Sequence, residues 1–228
     1  MQIIDTGAFG TRSAVLRLRR RGSELTFLVF PMLHVAAPEF YAEVQRRLGD
    51  CAVVVAEGVS GRSVLTWALT LSYRVMPANR RNGLVRQHID YAALGVPVVR
   101  PDVTGAEFER SWRALPLSLR LLVWCVLPAI VVMQFFGGRK RLLAPDVAVN
   151  DDDVPESEME ERFQNAFSGE RDQRLLAALV ELHETRSNES IDVGIVYGAA
   201  HVPDLVQGLS VALGYRVSSA DWITVVDW

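Results

Sequence analysis

The chain has 228 residues, half of them apolar, with 24 basic and 27 acidic side chains and a net charge of −3. That length suits one domain spanning 1–228, and the apolar share fills a core without disulfide or metal staples. The near-balanced charge excludes the basic footprint of a nucleic-acid binder. The two cysteines, Cys51 and Cys125, lie in apolar surroundings without metal-ligand spacing, which describes reduced thiols of a cytoplasmic protein. Residues 1–12 hold no continuous apolar run, so no secretory signal is expected.

Residues 13–19 alternate as a strand, Arg21-Gly22-Ser23 turns, and 25–30 form a second strand, together a hairpin. The second strand ends in Pro31-Met32-Leu33-His34. A helix over 38–48 follows, with Phe40, Val44 and Leu48 at helical spacing. The run 51–56 is apolar throughout, as in a parallel-sheet strand buried on both faces. It ends at Glu57. Arg62 comes five residues later, before a helix through Leu65, Trp67 and Leu71. Residues 80–94 read as another helix with Leu84, Ile89 and Leu94 inward and His88 an ordinary, partly exposed histidine. Residues 96–99 form a short strand ending at Arg100-Pro101-Asp102, and Thr104 caps a helix containing Phe108 and Trp112.

Residues 121–136 are nearly all apolar and are closed by Gly137-Gly138 and Arg139-Lys140-Arg141. With 115–120 added, the stretch approaches the roughly 20 residues that span a bilayer. Strands before and after it must share one sheet if the candidate site is to form, and a single crossing would part them. The readings left are a buried or lid helix, which is preferred, a helix pair broken at Pro128, and a helix in the membrane interface. The interfacial reading, helped by the basic cluster, gives peripheral membrane contact through 115–141 and a cytoplasmic, membrane-associated location. Residues 151–161 carry seven acids and no base, a solvated approach to the next helix. Residues 156–186 are helical, interrupted near Ser168-Gly169, with Leu175, Leu176, Leu179, Val180 and His183 as an inner stripe. His183 falls near the helix end, where a cation is mildly favoured, and is read as structural. Residues 191–197 form a buried strand, followed by small residues, His201, and a helix opening at Pro203 and ending at Gly214. Residues 215–217 and 222–226 read as two closing strands.

The elements define an α/β fold with a mixed, mainly parallel central sheet flanked by helices and a helical insertion at about 104–186. Four strands end at His34, Glu57, Asp102 and His201. As parallel neighbours they would bring all four side chains to the carboxyl edge, where open α/β sheets bind ligands. For Asp102, capping or turn formation is as good a reading as chemistry. Two imidazoles and a carboxylate match a three-ligand catalytic metal site built from His34, Glu57 and His201. The same groups also work without metal. Glu57 would take a proton from water, a histidine would orient it or protonate the leaving group, and Arg62 or Arg171 would clamp a carboxylate or an oxyanion.

The ordered pieces Pro31-Met32-Leu33-His34, Glu57-Gly58-Val59-Ser60-Gly61-Arg62, Gly169-Glu170-Arg171-Asp172 and Gly198-Ala199-Ala200-His201-Val202-Pro203 resemble the TraB/Tiki superfamily. That group also takes in GumN-like, erythromycin-esterase-like and ChaN-like proteins. It has two G-x-x-H motifs, a strand-ending Glu with an Arg five residues on, and a later Arg before a helix. The first motif here has Pro31 where the family usually has Gly. Asp102, with Arg110 and Trp112, resembles the family's middle segment. The likeness runs from about residue 25 to about 220. It implies an α/β sheet with the site at the strand ends. It also implies a hydrolase of peptide or ester bonds, acting on a peptide or small molecule, with or without a divalent metal such as Zn, Mn or Co. One branch binds haem. The alternatives are therefore a non-catalytic metal- or haem-binding protein and a membrane-associated regulatory protein.

Overall fold

The computed structural model describes residues 2–58, 83–102, 104–136 and 169–228. The expected hairpin is present: β2 (Gly10–Arg19) pairs antiparallel with β3 (Thr26–Met32), turning at Gly22 with φ +81°. The strand β1 (Ile4–Thr6) pairs with the start of β2. A short β4 (Val35–Ala36) leads into α1 (Pro38–Gly49), which begins with Pro in its first turn and buries Phe40, Tyr41, Val44 and Leu48. The apolar run becomes β5 (Val53–Ala56), buried at every position. Then come β6 (Val85–Arg86), β7 (Val98–Val99), α2 (Gly105–Ala114), α3 (Leu117–Phe136) and α4 (Glu170–Arg186). The chain closes with β8 (Asp192–Gly198), a 3-10 turn at Ala199–His201, α5 (Val202–Leu213) and β9 (Arg216–Asp227).

The fold is mixed α/β, with a central sheet flanked by helices. Its parallel part is β3-β8-β5-β7 in that order, and β1, β2 and β9 extend it antiparallel beyond β3. Burial of β5 and β8 on both faces explains their unbroken apolar sequence. In mid-β8, a side-chain carbon on Gly194 would stand 2.8 Å from Leu48 and 3.1 Å from the Cys51 sulfur. Glycine lets the strand approach α1 this closely. Of the described residues, the buried apolar ones of both sheet halves join one core.

Four expectations need correction. Among the described residues of 80–94 there is no helix: Val85–Arg86 pairs with β4, and the Asp90 carboxylate accepts from the backbone N–H of Ala92 and Ala93, at 3.1 and 3.2 Å. A five-residue spacing of Leu84, Ile89 and Leu94 is not helical, and Asp90 captures the N–H groups that a helix would need. Leu84 and Ile89 are nonetheless buried. The two closing strands are one, β9, which runs along all of β2 and absorbs its polar middle with register irregularities. The break in the apolar segment is not at Pro128, which α3 includes. It lies between α2 and α3, which meet at 114°, because Leu115 precedes Pro116 and is extended, at φ −66° and ψ 146°. Nor is α3 buried over its described side chains, 117–129: Leu117, Leu121, Leu122, Trp124 and Val126 are exposed, with Leu119 buried. Over the residues with described side chains, no single helix is long and apolar enough to cross a membrane. The expected helix at 65–71 and the acidic stretch at 151–161 lie outside the described residues.

His88 is exposed, as expected. His183 is structural, as expected, but its setting disfavours the cation. Arg20 can only donate, so the His183 Nε2, 2.8 Å from the Arg20 guanidinium, accepts. Nδ1–H then donates to the Tyr215 hydroxyl at 3.1 Å. Burial, and then the charge of Arg20, lower the His183 pKa. A histidine held neutral contributes its full stability above the ordinary value of roughly 6.5 and loses it as pH falls below that. Melting temperature should therefore drop between pH 7.5 and 5.5, and His183→Gln should flatten that slope. Identical slopes in scanning calorimetry would show that His183 is not responsible.

Candidate functional site

The parallel registers place the strand ends level. Met32 stands opposite Gly198, Ala56 opposite Val196, and Val55 opposite Val99. His34, Glu57, Asp102 and His201 therefore all follow strands that end at the same edge. The capping box of Thr104 and Glu107 starts α2 directly beyond Asp102.

The centre of this edge is an arginine clamp. Arg171, in the first turn of α4, donates from Nε and Nη2 to the two Asp102 oxygens, at 2.8 Å each. Nη2 also donates to Glu57 Oε1 at 2.6 Å. Asp102 further accepts from the Gly58 backbone N–H at 3.0 Å. Its side chain is 1% exposed, whereas that of Glu57 is 27% exposed. Burial alone would lower the Arg171 pKa; the Asp102 hydrogen bond and the charges of Glu57 and Asp102 outweigh it and raise it above the usual arginine range. Asp102 is thus an anchor that fixes the cation, and Glu57 is the reachable carboxylate.

Glu57 Oε2 accepts from the Gly198 N–H at 2.8 Å. A side-chain carbon on Gly198 would lie 3.2 Å from that oxygen and 3.5 Å from Cδ2 of His201. Glu57 and His201 therefore flank one glycine. His201 Nδ1 stands 3.0 and 3.3 Å from the two Asp172 oxygens, and the ring meets Tyr197 edge to face with centroids 5.2 Å apart. Both His201 and Asp172 are largely buried. The Tyr197 hydroxyl is buried without a hydrogen-bond partner among the described residues, and burial is the main cause of its raised pKa.

Of the expected site residues, Glu57, Asp102, Arg171 and His201 come together. His34 sits at the same edge, two positions past the Met32–Gly198 pair, and is exposed. The turn carrying it is held by the Tyr41 hydroxyl, which donates to the Leu33 carbonyl at 2.8 Å. Arg62 lies outside the described residues. Two residues were missed. Asp172 adjoins Arg171 in the quoted Gly169-Glu170-Arg171-Asp172, and a carboxylate beside an arginine reads as its partner rather than as a partner for His201. Arg100 follows β7 at the strand edge, stacks on Tyr91 at 4.9 Å, and approaches Gly58. Burial, as the main cause, pushes the Tyr91 pKa up to about 12.

With Nδ1 engaged by Asp172, His201 has Nε2 for accepting or donating a proton. Glu57 keeps lone pairs for a water even with both oxygens held by protein donors. As a ligand for Zn, Mn or Co, the trio His34, Glu57 and His201 would require Glu57 to share its oxygens with Arg171 and Gly198. Among the described residues no group of three or more His, Cys, Asp or Glu is disposed to hold a metal ion.

The fold and the site define a mixed α/β protein with an acid–base cluster at the carboxyl edge of its sheet. No family model, no curated protein and no solved structure matches the chain.

The clamp makes a stability prediction. Arg171→Met leaves Asp102 buried without its cation and should cost about 3–5 kcal/mol. Adding Asp102→Asn should recover part of that loss in a denaturant double-mutant cycle, and strict additivity would show that the pair is not coupled.

Proposed function

We propose that the protein is a hydrolase of peptide or ester bonds that works at the Glu57–His201 edge. The observation that carries this reading is the placement of Glu57 and His201 together against Gly198, each braced by a different residue of the first turn of α4. Ser, Thr or Cys nucleophiles play no part in it; water is the attacking group. Glu57 orients the water, and His201 Nε2 takes its proton as the oxygen bonds to the substrate carbonyl carbon. Asp172 stabilises the imidazolium so formed. Collapse of the tetrahedral intermediate breaks the acyl bond, and the leaving amine or alkoxide takes its proton from His201 or from His34. Arg100, and Arg62 from the neighbouring sequence, supply positive charge for the oxyanion or for a substrate carboxylate. Arg171 serves to hold Glu57: its Nε and Nη2 donors are engaged by Asp102 and Glu57.

The motif order shared with the TraB/Tiki group supports the same edge and the same reaction class. The chain's own residues suffice for each proton transfer, so turnover should persist in EDTA. Loss in EDTA with recovery on Zn, Mn or Co would instead assign His34, Glu57 and His201 to a metal.

The test is turnover on panels of chromogenic esters and fluorogenic peptides. Glu57→Gln and His201→Ala should each lower kcat/KM by about 10²–10⁴-fold, while circular dichroism shows the fold retained. Asp172→Asn should lower kcat with KM little changed, because the imidazolium loses its charged partner. Wild-type rates in Glu57→Gln, or no turnover by the native protein across the panels, would reject the proposal.

A further inference from the structure

We propose that α3 seats in the interface of an anionic lipid bilayer, lying in its plane rather than crossing it. This rests on the exposed face of the helix and stands apart from the hydrolase reading.

Helix α3 is 20 residues long, about 30 Å at ~1.5 Å per residue, the thickness of a bilayer's hydrocarbon core. From Leu121 to Phe136 its sequence holds no charged residue. Leu117, Leu121, Leu122, Trp124 and Val126 are between 43% and 63% exposed, and Cys125 and Ala129 are exposed among them. At ~100° per residue these positions cover a little more than half of the helix circumference. The remaining side carries Leu119, which is buried, and Val123 and Leu127, which are partly so. From Leu117 to Ala129 the helix is therefore packed along one side, which also carries the partly buried Arg120, and open along the other, which is mainly apolar. An exposed apolar face this wide marks an interaction surface, and the uncharged run that follows Arg120 suits lipid.

Charge selects the lipid. Arg110 of α2 is exposed just before the helix, as is Arg113, which also pairs with Glu109 at 3.5 Å, and the sequence just after the helix reads Gly137-Gly138-Arg139-Lys140-Arg141. Cations at both ends of an apolar segment match anionic headgroups. Trp124 is a residue type favoured at headgroup depth.

Sheet topology settles the orientation. β7 precedes α3, β8 follows it, and both pair with β5. One crossing would put β7 and β8 on opposite sides of the membrane. The intervening sequence 137–168, which includes the acidic 151–161, has no apolar run long enough to return through it. The helix therefore enters and leaves by the same face.

The experiment is flotation of the full-length protein with vesicles of phosphatidylcholine and phosphatidylglycerol at 70:30, and with phosphatidylcholine alone. The native protein should float with the anionic vesicles. Its partition should fall several-fold on pure phosphatidylcholine and in 0.5 M NaCl. Leu121→Glu with Leu122→Glu, both at exposed positions, should reduce anionic-vesicle binding at least tenfold with an unchanged melting temperature. Brominated lipid should quench native tryptophan fluorescence, and Trp124→Phe should remove most of that quenching. A native protein that stays at the bottom of the gradient overturns the proposal. So does a lipid-free dimer in sedimentation that the double Glu variant abolishes, since the apolar face would then belong to a second copy.

Discussion

Arg171 is the constraint on which the site depends. It stands 69 residues from Asp102 and 114 from Glu57 along the chain, yet one guanidinium fork serves both. Asp102 is so deeply buried that its charge requires a partner, and a planar cation with fixed donor directions satisfies both of its oxygens at once. Without Arg171, Glu57 and Asp102 would be two like charges at neighbouring strand ends, and the cheapest response would be protonation or displacement of one of them. An apolar replacement of the trio would cost little net stability, since buried ion pairs are poor sources of it. It could not direct Glu57. The ion pair earns its place through geometry, and it closes the helical excursion back onto the sheet.

Backbone geometry does the rest. Gly198 ends β8, donates its N–H to Glu57 and, having no side chain, lets the carboxylate and the His201 ring both come close to it. A side-chain carbon here would have to displace the carboxylate by a few tenths of an ångström and would sit in ordinary contact with the imidazole. The 3-10 turn at Ala199–His201 then delivers His201 to the start of α5. The glycine-to-histidine interval is thus a spacer whose length is set by one tight turn, and Asp172 meets the imidazole from α4.

The parts that could be read from sequence are those governed by periodicity and termination. Continuous apolar runs announced β5 and β8, and the polar side chains come just beyond them because a buried strand can present such groups only at its ends. The Thr104 cap and the Gly214 stop were legible because each is a local device, a hydroxyl three residues before a glutamate and a residue able to adopt φ +74°. The clamp was only half legible. Arg171 stood out as a candidate, but as a substrate group, since nothing local says that its acceptors lie across the sheet edge. Asp172 was hidden for the same reason. The region 83–94 misled because Leu84 and Ile89 are buried without being helical, anchored by a turn at Asp90 rather than by an amphipathic face. The 121–136 run misled in the opposite way: apolar composition implies burial but does not name the apolar medium.

That last ambiguity bears on the site itself. Glu107 both closes the α2 cap and accepts from Arg174 of α4 at 2.8 and 3.1 Å. The Arg174 hydrogen bond is the main reason that the Glu107 pKa is lowered to about 2. The pair is partly exposed and adds little stability alone, but it lies one turn along α4 from Arg171 and so ties the start of α2 to the clamp. With 10 residues, α2 spans about 15 Å before the chain turns into α3. The apolar helix and the charged strand edge are therefore joined by a short arm braced at the site end. A force or an immobilising surface acting on α3 reaches Arg171 through one helix and one ion pair. The groups nearest to that load are the ones that hold Glu57 in place.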